Sequence, residues 1–158
     1  MPIYMKYDTI DGDVTESGHK QWIEVNSFQW GIGRGISSPV GGSEDRESSA
    51  PRVSEVVVKK DNDVSSVKLV NEALQGEGKT VKFDFCRTEK SKLQVYLQLE
   101  LTNTMISGFS TSSGGDRPSE SVSLNFTKVE YKVTPMGASG DAANSATVTY
   151  DLGLAQVS

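Results

Sequence analysis

The sequence predicts a mainly β domain that carries one α-helix, and three observations lead there. Apolar and polar residues alternate along most of the chain, the pattern of strands with one buried face. One stretch, residues 64–74, instead spaces its apolar residues by three and four. Inside an otherwise regular strand near Thr127 the parity of the apolar residues switches. One unpaired residue does this, so a β-bulge is expected there, bending the strand as closing a barrel requires.

In chain order, Ile3, Met5 and Tyr7 put one apolar face on a first strand. Asp8, Asp11, Gly12 and Asp13 follow; they have the look of a calcium loop but lack its later ligands and closing Glu, so they read as a turn. Gly31 to Pro51, rich in Gly, Ser and charge, reads as a long loop. The helix, about residues 63–75, takes Val64, Val67, Val70 and Leu74 as its apolar face. Asp61 or Asp63 can cap its first amides, and Gly76 suits a left-handed exit. Val81, Phe83 and Phe85 form the next stripe, and Leu93, Val95, Leu97, Leu99 and Leu101 the most regular one. Ser107 to Pro118, with STSSGGDRP, reads as a second long loop. Val122, Leu124 and Phe126 occupy even positions and Val129, Tyr131 and Val133 odd ones, which places the bulge. Gly137 to Ser145 reads as a flexible turn, and Val148, Tyr150, Leu152 and Leu154 as a final stripe. These strands are expected to be half-buried and antiparallel.

A chain of 158 residues buries roughly two-thirds of its unfolded surface, so one core and one domain, residues 1–158, are expected. Its net charge of −5 and the absence of a dense basic cluster argue against nucleic-acid binding. MPIYMKYD has no apolar stretch of signal-peptide length, and the longest aliphatic run is Val56-Val57-Val58, so neither export by a leader nor membrane insertion is supported. Cys86 is the only cysteine, which excludes an internal disulfide and fits synthesis in the cytoplasm.

His19 is the only histidine, so nucleophilic catalysis of the Ser-His or Cys-His type must use it. It lies in the polar turn ESGHKQ and is expected to be exposed. Cys86 shares its parity with Lys82 and Asp84, has no neighbouring base in sequence and reads as a structural cysteine on the polar side of its sheet. GIGRG (Gly31 to Gly35) lacks the strand, helix and acidic residue of a dinucleotide fingerprint and reads as loop. Trp22 and Trp30 suit either a sugar-stacking platform or a core or subunit-interface role.

Two long blocks then carry a resemblance. HKQWIEVNSFQWGIGRG (His19 to Gly35) resembles the Trp-Ile-Glu strand and Ser-x-x-Trp-Gly of the Hcp family of type VI secretion proteins. GGDRPSESVSLNFTKVEYKVTP (Gly114 to Pro135) is similar to that family's Gly-Asp-Arg turn and Glu-x-Val-x-Leu-x-Phe strand. Between them, RVSEVVVKKDNDVSSVKLVNEALQG and KTVKFDFCR resemble the family's strand, capped helix and following strand. The resemblance implies two packed antiparallel sheets forming a small β-barrel with one flanking helix. It further implies six copies in a ring, rings stacked into the propelled inner tube of a contractile machine, and effector proteins carried in the lumen. Contractile sheath and spike proteins are the implied partners, release by the type VI pathway without a signal peptide the implied route, and neither catalysis nor a cofactor is implied. The chain ends at Ser158, and no appended toxin domain is expected. Under this reading Trp22 and Trp30 become lateral-interface or core candidates. Gly41, Gly42, Glu44, Asp45, Arg46 and Glu47, adaptable and charged, become candidates for the contact between rings. The competing readings are a carbohydrate-binding module built on Trp22 or Trp30, and a small hydrolase with His19 beside Ser or Cys86 and a carboxylate.

Overall fold

The structure, a computed structural model, describes residues 1–37, 47–135 and 144–158. Among the described residues it is mainly β with one helix, as expected. A first antiparallel sheet runs from β2 (Ile23–Val25) through β1 (Ile3–Tyr7) and β9 (Lys79–Glu89) to β10 (Lys92–Ser112). It continues through β12 (Lys128–Val133) and β13 (Ala146–Asp151) to β14 (Gln156–Val157). A second sheet takes the far half of β10 and adds β11 (Ser119–Asn125), β8 (Val56–Asp61) and β3 (Ser27–Gln29). Among the described residues the ladder is not closed into the expected barrel. β2 and β3 follow each other around Asn26, but each pairs with a different sheet, so the two edges approach there without sharing a ladder.

Strand β10 joins the sheets, and three shifts in its register let it bend. Val95 lies opposite Cys86 and Leu97 opposite Phe85, so Tyr96 is an extra residue. A one-residue slip turns every later side chain to the other face, and cross-strand partners share a face. The stripe Leu93 to Leu101 is therefore split. Val95 stands with Cys86 on the outer face, while Leu97, Leu99 and Leu101 face inward with Phe85, Phe83 and Val81. Leu99 and Leu101 are buried and Leu97 only half-buried. A second shift, between Leu101 and Thr104, contains Asn103 at φ 54°, a left-handed conformation that Asn tolerates. A third lies between Ile106 and Gly108.

The bulge expected near Thr127 is instead a break. β11 ends at Asn125 and belongs to the second sheet, and β12 starts at Lys128 in the first. Val122, Leu124, Phe126 and Val129 are all buried because the two sheets face one core, so parity must change where the chain crosses between them. Ser107 to Pro118 is likewise not a long loop: β10 runs to Ser112 and pairs Phe109 with Val122 and Thr111 with Glu120, leaving a turn at residues 113–118. Backbone ladders need no apolar side chains, and here the polar side chains are mostly exposed. The final stripe is a hairpin: β13 ends at Asp151, Leu152 and Leu154 lie in the turn, and Leu154 is exposed.

Between the sheets, Met5, Tyr7, Ile23, Val58, Phe83 and Leu124 are fully buried. Phe28 of β3 meets Phe83 and Phe85 edge-on, with centroids 4.9 and 5.0 Å away, and links the second sheet's edge to the first sheet. Burial, with Glu72 near, pushes the Tyr7 hydroxyl up to about 12, and among the described residues it has no hydrogen-bond partner.

The helix, α1 (Ser66–Gln75), forms where expected but faces the other way. Val64, Val67 and Leu74 are 64%, 79% and 81% exposed, and Leu69 and Ser66 are buried. A buried polar network sets this orientation. The Lys60 ammonium donates to Glu120 Oε1 (2.7 Å) and Asp63 Oδ1 (3.1 Å), and Ser66 Oγ donates to the same Glu120 oxygen (2.9 Å). Satisfying those charges outweighs turning a valine stripe inward, because an unpaired buried charge is among the costliest defects in a fold. Of the two capping candidates, Asp63 accepts from the Ser65 amide at 2.9 Å, whereas Asp61 accepts from the Asn26 side chain. Gly76 is extended (φ −72°, ψ 157°) rather than left-handed; a Cβ there would lie 2.5 Å from the Glu72 carbonyl, so glycine serves close approach.

Candidate assembly surfaces

The Gly31 to Pro51 segment carries short ladders rather than being a structureless loop. β4 (Ile32–Gly33) pairs with β7 (Arg52–Val53), and β5 (Ile36–Ser37) with β6 (Glu47–Ser48). Ser hydroxyls reinforce this arm: Ser54 Oγ accepts from the Gly31 amide at 2.8 Å and Ser49 Oγ from the Gly35 amide at 3.0 Å. Residues 31–37 are exposed throughout, and added Cβ atoms at Gly31 or Gly33 would meet open space. The arm thus stands off the body, holding the apolar side chains of Ile32 (61% exposed) and Ile36 (51%) in solvent. Of the ring-contact candidates, Gly41, Gly42, Glu44, Asp45 and Arg46 lie outside the described residues, and Glu47 is placed only through its backbone, opposite Ser37.

Trp30 sits at the root of this arm, half-buried against the core, with its ring 6.0 Å from that of Tyr131 on β12. Trp22 lies elsewhere, on the loop between β1 and β2, half-buried and edge-on to His19 at 4.7 Å. The two tryptophans therefore form no joint platform, and each ring has an aromatic neighbour from its own chain.

His19 contradicts the expectation of exposure: it is 6% exposed. Its Nδ1 lies 2.5 Å from Glu16 Oε2 and its Nε2 2.8 Å from Asp84 Oδ2. Cys86 has the predicted parity but is buried, because Tyr4 and the loop carrying His19 cover the outer face of β9. Burial first, and then the Asp84 and Glu16 charges, push its thiol up to about 11. With both imidazole nitrogens engaged by carboxylates and the thiol held neutral, this group has neither a free base nor a poised nucleophile. Sequence reasoning missed the cluster because Glu16, His19 and Asp84 come together only across 65 residues of chain.

Beside it, the outer face of the first sheet is a shallow depression lined by Lys82, Asp84, Gln98, Glu100, Glu130 and Lys132. Cross-strand neighbours set Glu100 between Lys82 and Glu130, and Gln98 between Asp84 and Lys132. The surface is charged, mixed in sign and open.

Known proteins match this chain and architecture. The family model for the type VI secretion system effector Hcp matches residues 4–133. A solved type six secretion system protein is 28% identical with a TM-score of 0.91, the match covering 99% of each chain. Hcp1 from Salmonella typhimurium is 22% identical with a TM-score of 0.78, over 99% of this chain and 98% of its own. A type VI secretion system effector from Yersinia pestis is 22% identical with a TM-score of 0.74, over 94% and 98%. No curated protein matches. The last two structures speak to the fold, and the family model, spanning well over half of the sequence, speaks to descent: the chain belongs to the Hcp family of type VI secretion system proteins.

Proposed function

We propose that this chain is a single-domain structural subunit of a secretion tube: six copies close into a ring, rings stack, and the stack is propelled with effector proteins in its lumen. The observation that carries this reading, beyond family membership, is the arm built on β4 to β7. An exposed ribbon with Ile32 and Ile36 in solvent has no use within its own subunit, and such a surface is expected to meet a partner. The open edges at β2, β3 and β14 support the same reading, since a neighbouring copy protects them from unspecific pairing. Closure into a ring requires a heterologous contact in which two different faces of one subunit meet. The work is mechanical, with no bond made or broken; sheath and spike proteins are the remaining partners, and release follows the type VI route. Residues 41–47 provide the ring-to-ring contact, with Trp22 and Trp30 near the lateral one. Native mass spectrometry at micromolar concentration tests the reading: a sixfold species is expected, and a monomer alone would overturn it.

A further inference from the structure

His19 occupies a site that assembly does not explain. A neutral imidazole has one N–H and one lone pair, and an ionised carboxylate only accepts. Here both ring nitrogens face carboxylate oxygens, Glu16 Oε2 at 2.5 Å and Asp84 Oδ2 at 2.8 Å, so both contacts are hydrogen bonds only when the ring carries two protons. The carboxylates are themselves held: Glu16 Oε1 accepts from the Gly18 amide at 3.0 Å, and Asp84 Oδ1 from the Gln98 side chain at 3.1 Å. The Gly18 amide foremost, and then the His19 ring, hold the Glu16 carboxyl below its usual range, keeping it ionised. The ring lies between Tyr4, at 4.8 Å and tilted, and Trp22, edge-on at 4.7 Å.

The loop of residues 8–22 is folded tightly on itself. The Gly12 amide donates to the Gln21 carbonyl (2.7 Å) and the Gln21 amide to Val14 (2.8 Å). A Cβ at Gly12 would lie 2.5 Å from the Trp22 carbonyl. The loop is also strained: Thr9 and Gln21 are held at φ 69° and 64°, conformations that persist only where the surroundings fix them. The start of the loop is tied to the sheet by its backbone, the Asp8 amide donating to the Thr80 carbonyl. Among the described residues, the hydrogen bond joining its far half to the sheet is that of His19 with Asp84.

We propose that His19 is a charge-controlled clamp: doubly protonated, it fastens residues 8–22, and with them Trp22, to the outer face of the first sheet, and on losing one proton it lets go. After deprotonation one lone pair faces a carboxylate, and either Glu16 or Asp84 loses its imidazole donor, keeping only the neutral one from Gly18 or Gln98. The strain at Thr9 and Gln21 is then free to relax. Among the described residues, Tyr4 of β1 stacks on the ring, and Cys86 of β9 and Glu24 of β2 lie close enough to act on the Tyr4 hydroxyl. Burial raises Tyr4, with Glu16, Cys86 and Glu24 adding to the effect, and Cys86 is pushed up to about 11, so both stay neutral while an imidazole changes charge.

His19 is the only histidine, so its ring nitrogens are unambiguous in a nitrogen-15 spectrum. The protein is titrated from about pH 5 to about pH 9 while protection factors are read for the amides of Gly12, Val14 and Gln21, with Val58 and Leu124 as core references. Two protonated ring nitrogens are expected at the acid end, and loop protection is expected to fall about tenfold or more in step with ring deprotonation while the core stays fixed. His19→Gln, if it folds, should flatten that dependence. A loop equally protected throughout, whichever charge the ring holds, or a folded ring with one N–H at every pH, would overturn the clamp; both are read on the unmodified protein.

Discussion

Replacing Lys60 by Met tests the network that orients the helix. The Lys60 side chain is fully buried and Glu120 nearly so, and the ammonium is the cation between the carboxylates of Glu120 and Asp63. Lys60→Met preserves much of the buried stem but leaves both carboxylates with only neutral donors: Ser66 Oγ and Asn62 Nδ2 for Glu120, and the Ser65 amide and hydroxyl for Asp63. Removing one partner of a buried pair costs about 3–5 kcal/mol, a large part of the roughly 5–15 kcal/mol that holds a domain folded. For a chain of this size each kcal/mol moves the thermal midpoint by about 2–4 °C, so a fall of roughly 6–20 °C is expected. Adding Glu120→Leu should lose less than the two single changes together, because the stranded carboxylate is then gone, with an interaction of about 0.5–3 kcal/mol. Urea and thermal unfolding followed by circular dichroism measure this, at one fixed protein concentration because any assembly adds to apparent stability. A loss below about 1 kcal/mol, the worth of an exposed pair, would refute the reasoning that these charges decide how the helix packs.

Leu101→Asp, placing a carboxylate at a fully buried position of β10, should abolish folding, whereas Val67→Asp on the outward helix face should change stability by no more than about 0.5 kcal/mol. Circular dichroism showing both variants equally disrupted would restore the inward valine stripe. Reversing Glu44, Asp45 and Glu47 to Lys should suppress tubes and spare rings in negative-stain microscopy and size-exclusion chromatography, since weak exposed charge contacts act together across a ring; tubes as abundant as in the parent would end that assignment. Cys86, pushed up to about 11, should react with iodoacetamide at about pH 8 far more slowly folded than in urea, its thiolate fraction there being about one in a thousand. Its thiol, from 9.0 to about 11, and the Tyr7 hydroxyl, from 10.0 to about 12, are both raised. The unfolded chain therefore ionises first, and stability should be intact below about pH 9 and decline as pH rises towards about 12; urea midpoints unchanged across that window would contradict both burials.

The strands whose partners keep register were legible in the chain. Ile3, Met5 and Tyr7 lie opposite Phe85, Phe83 and Val81, and two period-two stripes meet on one inner face as the pattern demands. The existence of the helix was legible too, from spacing alone. The break in β10 was not, because Tyr96 extends the alternation of Leu93 to Leu101 in sequence while slipping out of register in space. Nor was the crossing at residues 126–127, which leaves the same change of parity as a bulge.

Local periodicity thus determined the strands that carry regular apolar stripes, the presence of a helix and the mainly β class, because alternation and 3.6-residue spacing follow from backbone geometry; the polar end of β10 and the short ladders β4 to β7 carry no such stripe and read as loops. Two long blocks of sequence determined the family. Only the tertiary structure decided which way the helix faces, where β10 bends between sheets, and that His19 is buried between Glu16 and Asp84. These are contests between distant groups. Lys60 meets Glu120 60 residues away and His19 meets Asp84 65 away. The energy of pairing a buried charge exceeds that of hiding a valine, yet no window along the chain contains both partners.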